Sequence, residues 1–205
     1  MNITLTNTGK RYNREWIFRN LSYEFLEGRT YAITGANGSG KSTLLQVIAG
    51  AVMHSEGTVN FSNAANPQLF NEKAYGQISI AAPYLEPIEE MSGTEFLNFH
   101  SMFKILKKSI PEILSAVGLA KAADKQIRYY SSGMKQRLRL AQAFFSETSV
   151  LLLDEPLTNL DEEGIAVYKK LWNDHTAGRL VIVSSNDKQE YENCREVIAI
   201  GDYKK

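Results

Sequence analysis

The sequence predicts an α/β fold with three parts: a parallel-sheet core, an antiparallel β subdomain and an inserted α-helical subdomain. After residue 132, short apolar runs alternate with segments of helical spacing, a pattern typical of parallel strands joined by helical crossovers. Between residues 92 and 130 the spacing is helical throughout, so this stretch is expected to form the helical subdomain. A chain of 205 residues is long enough to bury one such core.

The first ninety residues are predicted to hold the β subdomain and the start of the core. Residues 3–6 and 21–25 alternate apolar and polar side chains, as half-buried strands do. Gly28 marks a turn into an apolar strand at 30–33. The further elements expected here are a helix at 44–50, a strand at 56–61, a polar surface loop at 62–73 and a strand at 77–81.

The helical stretch begins with aromatic residues at three- and four-residue spacing, which predicts one apolar helix face packed in the core. The residues on this face are Phe96, Phe99, His100 and Phe103. Pro111 is expected to open a second helix that ends near Gly118. The remaining predicted elements are helix 133–146, strand 150–154, helix 162–174, strand 180–184, helix 187–193 and strand 197–200.

A glycine-rich run lies between the strand at 30–33 and the helix at 44–50, which is the setting that a phosphate-binding loop requires. Its residues are Gly35, Ala36, Asn37, Gly38, Ser39, Gly40, Lys41, Ser42 and Thr43. Glycines let the backbone N–H groups turn inward toward an anion, and the following helix directs its positive dipole end to the same place. Lys41 would reach the β- and γ-phosphates, and the Ser42 hydroxyl is a natural Mg²⁺ ligand. The run therefore predicts a nucleoside triphosphate site in a fold of the P-loop NTPase class.

The apolar run 150–153 ends in two acids, Asp154 and Glu155. Because the carboxyl ends of parallel strands face the ligand crevice, both acids should emerge beside the phosphates. Asp154 is expected to hold Mg²⁺, usually through water. Glu155 is the candidate catalytic group that orients or deprotonates the attacking water. The alternative is a pair of solvated acids after a buried strand.

The stretch Tyr130–Met134 connects the helical insert to the next helix. Read alone, its serines and glycine indicate a cap at a helix start. Together with the loop at 35–43 and the strand at 151–156, in that order, it resembles the signature of the ATP-binding-cassette (ABC) ATPase family, here an ABC transporter ATP-binding protein. Residues 157–161 match the segment that follows in that family, and the resemblance covers essentially the whole chain.

The resemblance implies that two such domains stack head to tail and hold ATP and Mg²⁺ between them. The phosphate loop of one domain would face the signature of the other. The residues that would contact the γ-phosphate in trans are Ser131, Ser132 and Gly133. Asp161 would lie at the dimer seam. The family places an adenine-stacking aromatic at the position of Tyr12, with Trp16 as a substitute, and either residue could instead belong to the core.

The chain departs from the family pattern at two positions. The Gln expected after the strand at 77–81 falls near Ala82, and the acids that follow, any of which is open as a replacement, are Glu86, Glu89 and Glu90. The His expected after the strand at 180–184 is Asn186, which donates a hydrogen bond but cannot carry a proton. The prediction is a slow ATPase with Glu155 as the main catalytic group, aided by Lys41 and Asn186. The alternative is that both replacements are neutral in a fully active enzyme.

Composition limits the partners and the location. The chain has 23 basic and 23 acidic residues, so it carries no electrostatic footprint for nucleic acid, and none is expected. No apolar run approaches the ~20 residues of a membrane helix, so the expected location is cytoplasmic and peripheral, through membrane partners. Cys194 is the only cysteine, which excludes an intrachain disulfide and a cysteine-based metal site.

The expected organisation is one ABC-type ATPase domain over 1–205, divided into 1–91, 92–130 and 131–205. Its expected partners are a second ABC subunit, identical or different, and integral membrane permease subunits that dock on the helical insert and the Pro83–Met91 turn. The predicted function is an ATP-hydrolysing transporter subunit that energises separate transmembrane subunits by nucleotide-driven dimerisation. The signature is similar to that of the exporter branch. The alternatives are a soluble ABC-type ATPase outside transport and a slow or non-hydrolysing nucleotide-dependent switch.

Overall fold

The chain folds around two β-sheets, and the computed structural model describes residues 1–66 and 71–204. Within these residues the strands are β1 Asn2–Tyr12, β2 Glu15–Phe25, β3 Thr30–Thr34, β4 Glu56–Ser62, β5 Ile78–Ala81, β6 Val150–Asp154, β7 Leu180–Ser184 and β8 Glu196–Ala199. The α-helices are α1 Lys41–Ile48, α2 Asn71–Gly76, α3 Gly93–Ser101, α4 Ile110–Ala116, α5 Ser132–Phe145, α6 Glu162–His175 and α7 Lys188–Tyr191. Short 3₁₀ segments occupy Ala120–Ala122, Ile127–Tyr129 and Ile200–Tyr203.

The parallel sheet has the strand order β5-β6-β7-β3-β8. Every residue of β6 and β7 is buried, as expected for apolar strands covered on both faces. Their register pairs Asp154 with Ser184, and β7 pairs Ser184 in turn with Ile33 of β3. The carboxyl ends of β3, β6 and β7 therefore share one edge of the sheet, and the loops that leave them meet there.

The antiparallel sheet has the order β2-β1-β4 and covers the other side of α1. Apolar residues of β1 and β2, such as Ile3 and Phe18, form one buried cluster with Leu44 and Leu45 of α1 and with the parallel strands. This packing holds the start of α1 between the two sheets. The mixed architecture, with one parallel and one antiparallel sheet, confirms the predicted fold class.

The helical insert packs through α3 and α4 onto α5. α3 starts with a capping box in which the Glu95 N–H donates to Ser92 Oγ (3.2 Å) and the Ser92 N–H donates to Glu95 Oε2 (2.8 Å). α4 follows Ser109, whose N–H donates to Glu112 Oε2 at 3.0 Å and whose hydroxyl donates to the same oxygen. This helix carries Pro111 in its first turn, as the sequence predicts.

The prediction that the aromatic face of this insert is core is wrong for two of its residues. Phe96 is buried, but Phe99 is 40% exposed and Phe103 is 69% exposed. The reason is that α3 ends at Ser101, so Phe103 lies beyond it, while Leu97 supplies the second buried position of the helix. His100 is partly buried, with its Nε2 2.8 Å from Ser146 Oγ, which agrees with the packing role expected of it.

Other boundaries also differ from the prediction. β1 and β2 are 11 residues each and form a long hairpin, because polar and apolar residues continue to pair well beyond the predicted ends. Of the surface loop predicted at 62–73, residue 62 ends β4, residues 67–70 lie outside the described residues, and residues 71–73 begin α2. In the described part of the chain, no helix combines the length and the apolar character needed to cross a membrane.

Candidate functional site

The phosphate loop leaves β3 and turns directly into α1. Gly40 precedes the helix with φ 102°, and a Cβ there would lie 2.3 Å from Cγ2 of Ile17, so only glycine fits without a shift. Lys41 is buried, and its Nζ donates to the carbonyl oxygens of Gly35 (2.9 Å) and Ala36 (3.2 Å). The ammonium is therefore held beneath the loop, at the start of a helix whose first turn carries no acidic residue.

A cavity of about 210 Å³ lies over this loop. Its lining residues are Ile17, Asn37, Gly38, Ser39, Gly40, Lys41, Ser42, Thr43 and Glu155. Glu155 follows β6 and the other polar residues follow β3, so the cavity brings together the two halves that the sequence predicts separately. Its walls supply loop N–H groups, a hydroxyl, an ammonium and a carboxylate, which are the groups needed to hold a polyphosphate with a cation.

Asp154 lies at the end of β6 and is only 1% exposed. Burial raises the pKa of its carboxyl group, while the nearby Ser184 and Ser42 hydroxyls and the Lys41 ammonium act in the opposite direction. Among the described residues, Asp154 Oδ1 has no hydrogen-bond partner. A buried, unpaired carboxylate oxygen beside a serine hydroxyl is a hard-oxygen donor set, and it fits Mg²⁺.

Glu155 has an unusual backbone conformation. Its φ is 43°, and its N–H donates to the carbonyl oxygen of Ser184 (2.9 Å). A left-handed conformation costs a non-glycine residue on the order of 1–3 kcal/mol, and such strain persists only where neighbours impose it. This turn directs Glu155 out of the sheet and into the cavity, whereas Asp154, one residue earlier, stays buried.

Asn186, which follows β7, reaches the phosphate loop directly. Its Nδ2 donates to Oδ1 of Asn37 at 3.0 Å. Both residues are exposed, and the hydrogen bond places the amide at the expected His position beside the loop that would hold the phosphates.

The signature residues lie apart from this cavity, since none of its lining residues comes from 131–133. Ser131 caps α5 and its Oγ accepts the Met134 N–H at 3.2 Å. Ser131 and Ser132 are exposed, and a Cβ on Gly133 would lie 2.9 Å from the carbonyl oxygen of Asn159. Asp161 caps α6, accepts the Gly164 N–H at 2.9 Å and is also exposed.

Two aromatic residues compete for the adenine-stacking role. Tyr12 is 46% exposed, with Lys10 Nζ 4.7 Å from its ring centre. Trp16 has the guanidinium groups of Arg19 and Arg11 at 4.5 and 5.5 Å from its ring centre. A Cβ on the neighbouring Gly9 would lie 3.1 Å from the indole, so that ring is already engaged. Neither aromatic lines the cavity, and the contact with it comes from Ile17, which the sequence reasoning missed.

The position of the missing Gln is occupied by a buried, apolar Ala82. Two of the three acids considered as replacements are paired elsewhere: Glu89 with Lys135, and Glu90 with Arg128 at 3.3 Å. Tyr84 follows this position; partial burial and the nearby charge of Asp154 raise the pKa of its phenol to about 12. Sequence reasoning missed Tyr84, and its place directly after the expected position is the signal that could have found it.

Comparison with known proteins gives the family. The family model described as ABC transporter matches residues 18–158. An uncharacterized ABC transporter ATP-binding protein of Bacillus subtilis, YybJ, is 32% identical over 92% of this chain and 87% of its own length. The cytochrome c biogenesis ATP-binding export protein CcmA of Rhodopseudomonas palustris is 32% identical over 82% of this chain and 83% of its own. Three other curated relatives are longer, and the chain spans 63%, 55% and 66% of them.

Solved structures give the same fold. A putative ABC transporter ATP-binding protein of Pyrococcus furiosus superposes with a TM-score of 0.81, covers all of both chains and is 20% identical. The order of the phosphate loop, signature and acid-ended strand, the family match over most of the chain and the 32% identical relative agree. The chain belongs to the ABC transporter ATP-binding protein family.

Proposed function

We propose that this chain is the ATP-hydrolysing subunit of an ABC transporter, and that it energises separate transmembrane subunits by nucleotide-driven dimerisation. The observation that carries the proposal is the single cavity in which Glu155 faces the phosphate loop, with buried Asp154 beneath it. Proteins of this family are generally ATPases, and the relative from Rhodopseudomonas palustris is named as an export protein. Transport is proposed here on that likeness and on the surface described below.

ATP binding would use the loop from Gly35 to Thr43. The loop N–H groups would cradle the phosphates, and Lys41 would exchange its bonds to the Gly35 and Ala36 carbonyl oxygens for bonds to phosphate oxygens. Ser42 and Asp154 would hold Mg²⁺, which neutralises charge on the phosphates. Tyr12 is the better adenine-stacking candidate, because its ring has fewer neighbours than that of Trp16.

Hydrolysis would depend on Glu155, which is placed to orient and deprotonate a water molecule at the γ-phosphate. Asn186, beside Asn37, would donate a hydrogen bond to a γ-phosphate oxygen. One positioned donor at a developing charge is worth about 3 kcal/mol, so a neutral amide in place of a His and an alanine in place of a Gln favour slow turnover.

The second half of each site would come from a second ABC subunit. Ser131, Ser132 and Gly133 at the start of α5 would present a hydroxyl, N–H groups and a positive dipole end to the γ-phosphate in trans. The exposure of Ser131 and Ser132, and the absence of all three residues from the cavity of their own chain, support this arrangement. Asp161 would lie at the seam, and loss of the γ-phosphate would remove the anion that both subunits share.

The helical insert would bind the permease. Several large apolar side chains are exposed on it and on the turn before it, and these include Leu85, Ile88, Phe99, Met102, Phe103 and Ile105. Exposed apolar side chains in one region mark interaction surfaces. Docking there would place the chain on the cytoplasmic face of the membrane. The role of residues 92–130 would then be to bind the permease.

The decisive experiment is Glu155→Gln in the complex with its permease. Removing the general base should lower phosphate release by about 10²- to 10³-fold while ATP binding persists. Phosphate release and ATP-dependent dimerisation would be measured together. Glu147→Gln, an exposed acid before β6, is the control and should behave as wild type. A Glu155→Gln protein with unchanged turnover would remove Glu155 from the mechanism.

A nucleotide-dependent switch that does not hydrolyse ATP is the second candidate. The replacements at Ala82 and Asn186 favour it, because both remove groups that assist hydrolysis in the family. The switch predicts ATP-driven dimers that persist without phosphate release. Steady phosphate release by the wild-type complex would therefore exclude it.

A further inference from the structure

Another cavity, of about 220 Å³, shares Glu155 with the cavity over the phosphate loop but is lined by no residue of that loop. Its lining residues are Glu155, Leu157, Thr158, Asn186, Asp187 and Glu190. Glu190 is a buried acid, only 5% exposed, to which the mechanism above assigns no role. It lies where the loop after β6 meets the loop after β7.

The Glu190 carboxylate holds the backbone of the loop after β6. Its Oε1 accepts the Leu157 N–H at 2.7 Å, two residues after Glu155. Leu157 begins a short turn in which the Leu160 N–H donates to its carbonyl oxygen (3.0 Å), and the turn ends at Asp161. The carboxylate therefore fixes the beginning of the segment that ends at the expected dimer seam.

The backbone of Glu190 is tied to the far side of the same segment. Tyr168 of α6 is buried, and its hydroxyl donates to the Glu190 carbonyl oxygen at 2.9 Å. α6 starts after Asp161, so Glu190 contacts the first residue of the 157–161 segment and the helix that follows the segment.

Glu190 is also joined to the loop that carries Asn186. The Glu190 N–H donates to the Asp187 carbonyl oxygen (3.1 Å), and the Asp187 N–H donates to Ser185 Oγ (2.8 Å). Burial, together with the charges of Asp187 and Glu155, raises the pKa of Glu190, while the Ser185 hydroxyl and the Leu157 N–H oppose this effect. The acid is thus surrounded by groups from both loops.

We propose that Glu190 is a positioning residue that locks the 157–161 segment to the 185–187 segment. This link keeps Glu155, Asn186 and Asp161 in one arrangement around the nucleotide. It also couples a movement of Asn186 at the γ-phosphate to a movement of Asp161 at the dimer seam. The proposal rests on the hydrolytic function proposed above. It adds a residue that does not line the cavity over the phosphate loop and that acts through the Leu157 N–H.

The test compares three substitutions of Glu190. Glu190→Leu keeps the approximate volume and removes the acceptor, so kcat should fall about 10- to 100-fold while KM and ATP affinity stay within threefold. Glu190→Gln keeps an acceptor oxygen and should stay within threefold of wild type. Glu190→Asp keeps the charge but shortens the reach, so it should resemble Glu190→Leu. Glu192→Gln, an exposed neighbour paired with Lys169, is the control.

Hydrogen exchange supplies a readout that does not need turnover. Glu190→Leu and Glu190→Asp should speed exchange of the 157–161 amides at least tenfold and leave those of residues 35–43 unchanged. If Glu190→Leu does not fold, the comparison of the Asp and Gln variants decides alone. Wild-type exchange and wild-type kcat in Glu190→Asp would overturn the lock, even if the wild type hydrolyses ATP. If the wild type showed no turnover, the proposed hydrolysis would be wrong instead. The hydrogen-exchange rates of the 157–161 amides would still test whether Glu190 holds that segment.

Discussion

Polar groups are buried at both ends of the parallel sheet, but their hydrogen bonding differs between the two ends. At the carboxyl end, Asp154 Oδ1, Ser39 Oγ and Ser184 Oγ are buried and have no hydrogen-bond partner within the described residues. At the amino end, Arg179 is buried, and both of its terminal nitrogens are hydrogen-bonded. Unpaired buried polar groups cost stability, so we expect the carboxyl end to be organised for a ligand and the amino end for the fold.

At the amino end of the sheet, the Arg179 guanidinium is held by hydrogen bonds to uncharged acceptors. Arg179 Nη2 donates to Ser79 Oγ (2.7 Å) and Thr148 Oγ1 (2.6 Å), and Nη1 donates to the Phe144 carbonyl oxygen (3.1 Å). These partners come from β5, from the residues before β6 and from the end of α5. Burial lowers the pKa of Arg179 to about 10, which still leaves the guanidinium charged at neutral pH. Its Nε alone has no partner among the described residues.

The largest effect on activity is expected from a substitution at the carboxyl end of the sheet. Asp154→Asn removes the charge that would hold Mg²⁺, so Mg²⁺-dependent phosphate release should fall about 10²- to 10³-fold. Without nucleotide, the same variant should be no less stable than wild type to urea, because the folded state already disfavours the buried charge. Asp174→Asn, an exposed acid, serves as the control. A clear loss of stability without nucleotide would show that Asp154 belongs to the fold rather than to the ligand.

A substitution at the amino end of the sheet should instead lower stability and leave ATP binding unchanged. Arg179→Met removes several hydrogen bonds from a charged donor and leaves Ser79 and Thr148 with fewer partners, so the free energy of unfolding should fall by about 2 kcal/mol. ATP affinity of the remaining folded protein should be unchanged. Arg195→Met, at an exposed position, should stay within about 0.5 kcal/mol of wild type in the same urea titration. If Arg179→Met lost ATP binding without losing stability, the contrast between the two ends would fail.

The sequence was sufficient for the parts of the fold that depend on local pattern. The continuous apolar runs of β6 and β7 and the strand–loop–helix setting of the phosphate loop predicted the sheet, and the structure confirms that fold class. The same local reasoning failed for Phe99 and Phe103, because periodicity shows that a face is apolar but not whether anything covers it. The roles of the site residues remain predictions.

Contacts between distant segments could not be read from the sequence. Tyr84 beside Asp154, Ile17 against Gly40 and Glu190 on the Leu157 N–H each join residues from different elements. The left-handed conformation of Glu155 is equally hidden, since a glutamate gives no local signal for positive φ. Such features depend on tertiary packing, and they lie around the candidate site.

The smallest expected effect concerns a partly buried polar group, His100 in the helical insert. Burial lowers the pKa of His100, so its imidazole is neutral in the folded state at neutral pH. Arg179, in contrast, stays charged although it is buried. A folded pKa below the ordinary value of about 6.5 means that the unfolded chain binds the extra proton, so stability is lost as the pH falls below about 6.5.

The measurement is the free energy of unfolding at several pH values between neutral and mildly acidic. His100→Gln keeps a partner for Ser146 and should reduce the acid-induced loss by on the order of 1 kcal/mol or less. His175, packed on Phe145 with ring centres 4.5 Å apart, also has a pKa lowered by burial, so His175→Gln is the matched comparison and the double variant should flatten the profile further. A profile unchanged by either substitution would mean that acid sensitivity arises from the carboxylates instead. In that case, the burial of His100 would contribute nothing measurable to the pH dependence of stability.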